Sequence, residues 1–119
     1  LPGDLSQEEQ CRLAVERTIE RFGSIDVLVN NIAYQNPVVS FEEITTEQWD
    51  GTFKTNVYSY FWLSKAALEH MGEGASIINT SSIQSSEPSP GLLDYAATKG
   101  AKKKITPSIT ASTARCKCQ

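Results

Sequence analysis

The sequence predicts an α/β fold built on a parallel sheet. Three observations indicate it: segments with the apolar period of a helix alternate with short apolar runs, helix start and stop signals bracket the periodic segments, and polar residues follow directly after the apolar runs. The carboxyl ends of parallel strands form the ligand-binding edge of such sheets. These polar residues are therefore the first candidates for a functional site.

The first helix is predicted at residues 6–22. Ser6-Gln7-Glu8-Glu9 has the form of a capping box, in which side chains of the first turn bond its free amides. Apolar residues then recur on one stripe, and Gly23 ends the helix. We expect this helix to act as scaffolding.

A strand buried on both faces of the sheet is predicted at residues 25–31, because Ile25 to Val29 forms an apolar run. Asn30 and Asn31 lie at its carboxyl end, where a carboxamide offers donors and acceptors to neighbouring strands or to a ligand. Taken alone, the asparagine pair is equally consistent with a turn.

A long, aromatic-rich helix is predicted at residues 46–71, with Thr45 capping its start through Gln48. Asn56 lies inside it, although asparagine is a poor helix former. Asn56 is therefore either a surface residue or a residue held there for a functional reason.

A second strand, predicted at residues 75–81, leads to Ser82, and a helix predicted at 93–104 carries Tyr95 and Lys99. The spacing of four residues places the tyrosine and the lysine on one helix face. A free phenol is a poor acid or base at neutral pH, but a nearby ammonium favours the phenolate. One such spacing arises easily by chance. The serine at the end of the preceding strand strengthens the interpretation of Tyr95 and Lys99 as an acid/base pair.

Charge and composition argue against several functional classes. The net charge is −3, yet residues 1–101 carry six basic and 14 acidic residues, and this acidic body argues against nucleic acid as a partner. No apolar run approaches the ~18 residues of a membrane span and no signal-peptide pattern is present, which predicts a cytoplasmic protein without membrane contact. Cys116 and Cys118 lack further Cys or His partners, so no metal site is predicted.

Taken together, these motifs resemble those of the short-chain dehydrogenase/reductase family, which are NAD(P)-dependent oxidoreductases with a Rossmann-like, doubly wound parallel sheet. Asn30-Asn31-Ile32-Ala33, Asn56, Ser82 and Tyr95-x-x-x-Lys99 stand in the family's order and at about its spacing. Ile32 and Ala33 replace the family's Ala-Gly, which narrows the space where backbone and cofactor meet.

The resemblance implies a role for each matching residue. Tyr95 becomes the acid/base, Lys99 stabilises its phenolate and holds the nicotinamide ribose, Ser82 bonds the substrate oxygen, and Asn56 holds a water near Lys99. The implied cofactor-binding residues are Asp4, Leu5, Asn30, Asn31, Ala33, Tyr95 and Lys99. On the residues alone, Asp4 is better explained as part of a turn.

The implied reaction is hydride transfer between NAD or NADP and a small-molecule alcohol or carbonyl substrate. Residues 91–101 look closest to the glucose/ribitol dehydrogenase-like branch, which makes a sugar or polyol the expected substrate. In this family the helix matching residues 46–71 packs in a subunit interface, so a homo-oligomer is expected for the full-length parent.

The resemblance is expected to cover residues 1–101 as a partial Rossmann-like domain, with the Gly-rich unit upstream of Leu1 and the substrate part missing. Residues 102–119 are expected to form an atypical, basic, Ser/Thr-rich tail. Because successive helix residues point in different directions, at least one ammonium of Lys102, Lys103 and Lys104 is expected to face the apolar side of the helix. The segment alone is expected to bind NAD(P) poorly and to be inactive. The competing interpretation is an inactive truncated fragment or an interaction protein that keeps the association helix.

Overall fold

A computed structural model describes residues 3–112 and 117–118 of the chain. In chain order the elements are α1 (Glu8–Phe22), β1 (Val27–Asn30), α2 (Thr46–Phe53), a π-helical turn (Lys54–Tyr58), α3 (Ser59–Leu68), β2 (Ser76–Asn79), α4 (Leu93–Ser112) and β3 (Lys117–Cys118). Short 3₁₀ turns lie at Phe41–Glu43, Ile83–Ser85 and Pro90–Leu92. None of the helices in the described ranges combines the length and the apolar character that a bilayer span needs.

The three strands form one parallel sheet in the order β1, β2, β3. Val27 lies opposite Ser76 and Asn30 opposite Asn79, so the carboxyl ends of β1 and β2 are level. The predicted α/β class and the parallel pairing of the two apolar strands are confirmed. The third strand was expected at or before Leu1, which lies outside the described residues, and the structure has its third strand beside β2 instead.

The predicted capping box is wrong, and α1 begins at Glu8 rather than at residue 6. Gln7 is the N-cap and makes no side-chain capping bond. The amide of Ser6 instead donates to Asp4 Oδ1 at 2.9 Å, and hydrogen bonds from Ser6 lower the pKa of Asp4. At the other end Gly23 has φ 84° and donates its N–H to the Ile19 carbonyl, so the predicted stop is confirmed.

The apolar core lies between one face of the sheet and helices α1 and α3. Its buried members are Cys11, Val15, Ile25, Leu63, Ala67, Met71, Ala75 and Ile77. The strand side chains on the other face of the sheet are partly exposed to solvent: Val27, Val29 and Ile78 are 54%, 57% and 39% exposed. The prediction that the strand at 25–31 is buried on both faces is therefore wrong, because alternate strand residues face opposite sides and the core covers only one.

The long helix predicted at residues 46–71 ends at Leu68 and contains a π-helical turn. Thr45 caps its start, because its side chain accepts the Gln48 amide at 3.1 Å as predicted. The π-helical turn is confirmed by the amide of Ser59, which bonds the carbonyl of Lys54 five residues earlier.

Helix α4 continues to Ser112, past the predicted end at 104, and includes Pro107. Lys102 is 2% exposed and its Nζ has no hydrogen-bond partner among the described residues. The ammonium lies 3.6 Å from the centroid of the Tyr60 ring. The expectation that one ammonium of the lysine run turns inward is therefore confirmed.

We predict that Lys102→Met stabilises the protein at neutral pH. Burial, followed by the charge of Lys99, lowers the pKa of Lys102 to about 6, whereas an unfolded lysine titrates near ~10.4. Between these values the unfolded chain holds a proton that the folded chain releases, so stability rises with pH. Denaturant unfolding at pH 7 should give Lys102→Met a free energy of unfolding higher by at least about 1 kcal/mol, with the gap closing toward pH 10.

Lys103→Met is the matched control, because Lys103 is exposed and its Nζ bonds the Ser86 hydroxyl at 2.5 Å. A Lys102→Met protein that is no more stable than wild type at pH 7 would contradict the argument.

Candidate active site at the carboxyl edge of the sheet

Tyr95 and Lys99 occupy the first two turns of α4, the helix that follows β2 and its loop. Lys99 Nζ lies 5.1 Å from the centroid of the Tyr95 ring. Lys99 is 2% exposed, while Tyr95 is half-buried. The pair therefore has the geometry of a buried cation beside a partly exposed tyrosine.

Asn56 is fully buried in the π-helical turn, which excludes the surface alternative. Its Oδ1 accepts the Tyr34 amide at 2.6 Å, and its Nδ2 donates to the Tyr34 carbonyl at 2.8 Å and to Thr98 Oγ1 at 3.1 Å. One carboxamide thus joins the segment that follows β1 to α4, directly beside Lys99. A π-helical turn at such a position is typical of functional sites.

Asn30 ends β1 as a buried strand residue, not as a turn residue. Its Nδ2 donates to Asn79 Oδ1 on β2 at 2.9 Å and to Ser64 Oγ on α3 at 3.2 Å. Its Oδ1 is buried and has no partner among the described residues. The carboxamide therefore holds two strands and a helix together and keeps one acceptor unused. Asn31 and Ala33, which follow, are exposed.

Ser82 precedes the 3₁₀ turn Ile83–Ser85 and caps it, since its Oγ accepts the Gln84 amide at 3.3 Å. The loop beyond is held by its own side chains: Ser89 donates its amide to Gln84 Oε1 at 2.7 Å. Ser82 is half-buried, and the hydrogen of its hydroxyl is not used in the Gln84 contact.

Asp4 and Leu5 lie before α1, where Leu5 is half-buried and packs against the apolar core. Asp4 is exposed and bonded to Ser6, while the Leu5 carbonyl accepts a hydrogen bond from Cys11 Sγ at 3.3 Å. Burial raises the pKa of the Cys11 thiol to about 11, so this cysteine stays protonated. The hydrogen bonds of these two candidates do not reach the Tyr95–Lys99 pair.

The sequence interpretation missed a row of contacts between the long helix and α4. We call it the polar seam, and its three pairs are Thr52 with Asp94, Asn56 with Thr98, and Tyr60 with Lys102. All six side chains are at most 2% exposed. Within each helix the seam residues are four apart, and this recurrence of polar residues is the signal that would have revealed them. In the part of the chain that the structure describes, no cluster of His, Cys, Asp or Glu is arranged to hold a metal ion.

Comparisons with known proteins agree with this geometry. The family model described as short chain dehydrogenase matches residues 1–117, beyond the last sequence motif. An uncharacterized oxidoreductase of Schizosaccharomyces pombe is 50% identical over 108 residues, which are 91% of this chain and 38% of that protein. Glucose and ribitol dehydrogenase of Daucus carota is 45% identical over 101 residues, 85% of this chain and 35% of that protein. The chain thus spans between a third and two fifths of the length of such relatives.

A solved structure shows the same likeness in three dimensions. A short chain dehydrogenase from Burkholderia cenocepacia J2315, in complex with NADP, superposes with a TM-score of 0.90 at 33% identity. The match covers 94% of this chain and 46% of that one. The described fold therefore corresponds to about half of a Rossmann-fold dehydrogenase.

We predict that Asn56→Ala destabilises the protein by about 2–4 kcal/mol, because it removes a buried side chain and three hydrogen bonds. Asn31→Ala is the matched control, since Asn31 is exposed, and it should cost less than about 0.5 kcal/mol. Denaturant unfolding measures both, and equal losses would show that the Asn56 bonds do not stabilise the fold.

Proposed function

Because this chain belongs to the short-chain dehydrogenase family, we propose that it carries the proton-transfer half of an NAD(P)-dependent oxidoreductase site. The reaction is hydride transfer between the nicotinamide and the carbon of an alcohol or carbonyl substrate, with Tyr95 exchanging the proton of the substrate oxygen. The observation that carries the proposal is the buried Lys99 ammonium, 5.1 Å from the ring centroid of the half-buried Tyr95.

The residues present fit a nicotinamide cofactor. Among the described residues, no donor reaches the buried carboxamide oxygen of Asn30 at the carboxyl end of β1, and a ribose hydroxyl or a backbone amide is the kind of group that satisfies it. Asn30, Asn31, Ala33, Tyr95 and Lys99 would hold the nicotinamide half, and Asp4 and Leu5 the adenosine half. When bound, NAD or NADP supplies or accepts the hydride. The Burkholderia relative that contains NADP supports this assignment.

Proton transfer falls to the residues of this chain. Tyr95 gives its proton to the substrate oxygen during reduction and takes it back during oxidation, and Lys99 stabilises the phenolate in between. Ser82 accepts the Gln84 amide at its oxygen, so its hydroxyl hydrogen is left to bond the substrate oxygen.

Asn56 is proposed to position a relay water near Lys99. Both hydrogens of its Nδ2 are used, by the Tyr34 carbonyl and by Thr98 Oγ1. Its Oδ1 accepts one hydrogen bond, from the Tyr34 amide. A carboxamide oxygen has two lone pairs, so one remains to accept from a water.

A sugar or polyol is the proposed substrate class, supported by the 45% identity to the carrot glucose and ribitol dehydrogenase.

A homo-oligomer is proposed because two aromatic side chains of the long helix, Tyr58 and Phe61, are 47% and 53% exposed. With Trp62 and Ile105 they line an apolar pocket of about 340 Å³, and contiguous exposed aromatics mark association surfaces. Turnover is proposed for the polypeptide encoded by the complete gene, because this chain spans only part of its relatives.

We predict that Tyr95→Phe abolishes turnover and leaves the cofactor dissociation constant within about threefold of wild type. Phenylalanine keeps the ring and removes only the transferable proton. Lys99→Ala should lower both turnover and cofactor affinity, because the ammonium acts on the phenolate and on the ribose. Steady-state kinetics and cofactor titration on the complete enzyme measure both effects.

Tyr58→Phe is the matched control, since it also removes one tyrosine hydroxyl but keeps the exposed ring that the proposed association surface uses, and it should keep full turnover. If Tyr95→Phe retained more than about a tenth of wild-type turnover, a loss of only ~1.4 kcal/mol of barrier, Tyr95 would not be the acid/base.

A further inference from the structure

Asp94 is a buried carboxylate that directly precedes Tyr95 at the start of α4. Its Oδ2 accepts Thr52 Oγ1 at 2.7 Å and Gln48 Nε2 at 3.2 Å, and its Oδ1 accepts the Tyr95 amide at 2.9 Å. Within the described residues both ion pairs belong to Arg12, so Asp94 is held by neutral donors. The positive end of α4 stabilises it further, because a carboxylate in a first helical turn faces free amides.

We infer that the Thr52–Asp94 pair is a positioning device for Tyr95, which fixes the start of α4 against the long helix and so sets where the phenol meets the substrate oxygen. The inference rests on the proposed function, in which Tyr95 is the acid/base. Neither Thr52 nor Asp94 touches the reacting atoms. Both act through the placement of Tyr95.

The polar seam holds α4 at two points around the site. Asp94 bonds Thr52, and one helical turn later Thr98 bonds Asn56. Tyr95 and Lys99 each lie one residue beyond one of these attachments. Sliding α4 by one residue would move Tyr95 by ~1.5 Å and rotate it by ~100°, and a misplacement of ~1 Å can lower a rate on the order of a hundredfold. Two attachments one turn apart prevent both movements.

The same carboxylate is linked to the segment that follows β1. Gln48 donates from Nε2 to the Asn36 carbonyl at 3.1 Å, and Asn36 returns a bond from Nδ2 to Gln48 Oε1 at 3.0 Å. Val38 donates its amide to the Gly91 carbonyl at 3.0 Å, and a Cβ on Gly91 would lie only 2.6 Å from the Val38 carbonyl oxygen. The start of α4 is therefore fixed from two sides.

A carboxylate suits this position better than a carboxamide does. Three donors converge on its two oxygens, and an asparagine would turn an N–H₂ group toward at least one of them. The arrangement explains why an acidic residue is buried where its charge has no basic partner.

The test uses Thr52→Val in the complete enzyme, because valine has the shape of threonine and replaces its hydroxyl, which contacts Asp94 Oδ2 and the Gln48 carbonyl, with a methyl group. We expect kcat to fall at least about tenfold while the cofactor dissociation constant stays within about twofold of wild type. Thr52→Ser, which restores the hydroxyl, should recover kcat to within about threefold of wild type. The matched control is Thr18→Val on α1, which removes a half-buried hydroxyl bonded to the Ala14 carbonyl at 2.7 Å and should leave kcat unchanged.

The outcomes separate this inference from the proposed function. If Thr52→Val keeps more than half of wild-type kcat while Tyr95→Phe is inactive, the proposed function stands and the positioning inference fails. A loss of kcat that Thr52→Ser does not reverse, or that comes with an equal loss of cofactor affinity, reports general damage and also overturns the inference. If Tyr95→Phe remains active, the proposed function and the positioning inference both fail.

Asp94→Asn is a second variant, for which we expect the same fall in kcat at unchanged cofactor affinity. If the Asp94→Asn protein does not fold, the result for Thr52→Val decides the test.

Discussion

The polar seam between the long helix and α4 is the constraint on which the site depends. Its pairs are buried and polar, so a shift of one helix against the other would leave donors and acceptors without partners in a dry interior. Each unsatisfied group costs about 1–3 kcal/mol, whereas apolar side chains tolerate sliding more easily because their contacts have no direction. The register of the two helices is therefore specified by hydrogen bonds. This register also determines the positions of Tyr95 and Lys99, since each directly follows a seam residue of α4.

The third pair of the seam stabilises the fold less than the other two. Burial, with a smaller contribution from Tyr95, raises the pKa of Tyr60 to about 12, so the Tyr60 phenol stays neutral and donates to the Ile32 carbonyl at 3.0 Å. The contact of an ammonium with an aromatic face contributes up to about 2 kcal/mol, less than the several kcal/mol that burying a charge costs. Lys102 consequently releases its proton near neutral pH. The ammonium of Lys99 then stands beside Tyr95 without a second charge next to it.

Local patterns were sufficient for the fold class, the parallel pairing of β1 with β2, the stop at Gly23 and the cap at Thr45, because each is decided within a few residues. The predictions that were wrong concern features that depend on distant or competing partners. Ser6 lies one residue before the N-cap, Gln7, and its amide is bonded to Asp4 Oδ1. The burial of Val27 depends on what covers the second face of the sheet. Of the site, Asn56, Tyr95 and Lys99 could be selected from residue type and spacing. Thr52 and Asp94 could not, because each alone resembles an ordinary polar residue of a helix.

The π-helical turn, which contains Asn56, affects how the seam residues of the long helix line up. Along a regular α-helix, residues four apart drift by ~40° around the axis, because each residue turns by ~100°. Thr52, Asn56 and Tyr60 would therefore spread over ~80° of the surface of the long helix. The turn at Lys54–Tyr58 holds one more residue per turn, which reduces the drift where the three residues lie. The irregularity brings the three seam residues of the long helix closer into line, and from this turn the Asn56 carboxamide bonds both Tyr34 and Thr98, next to Lys99.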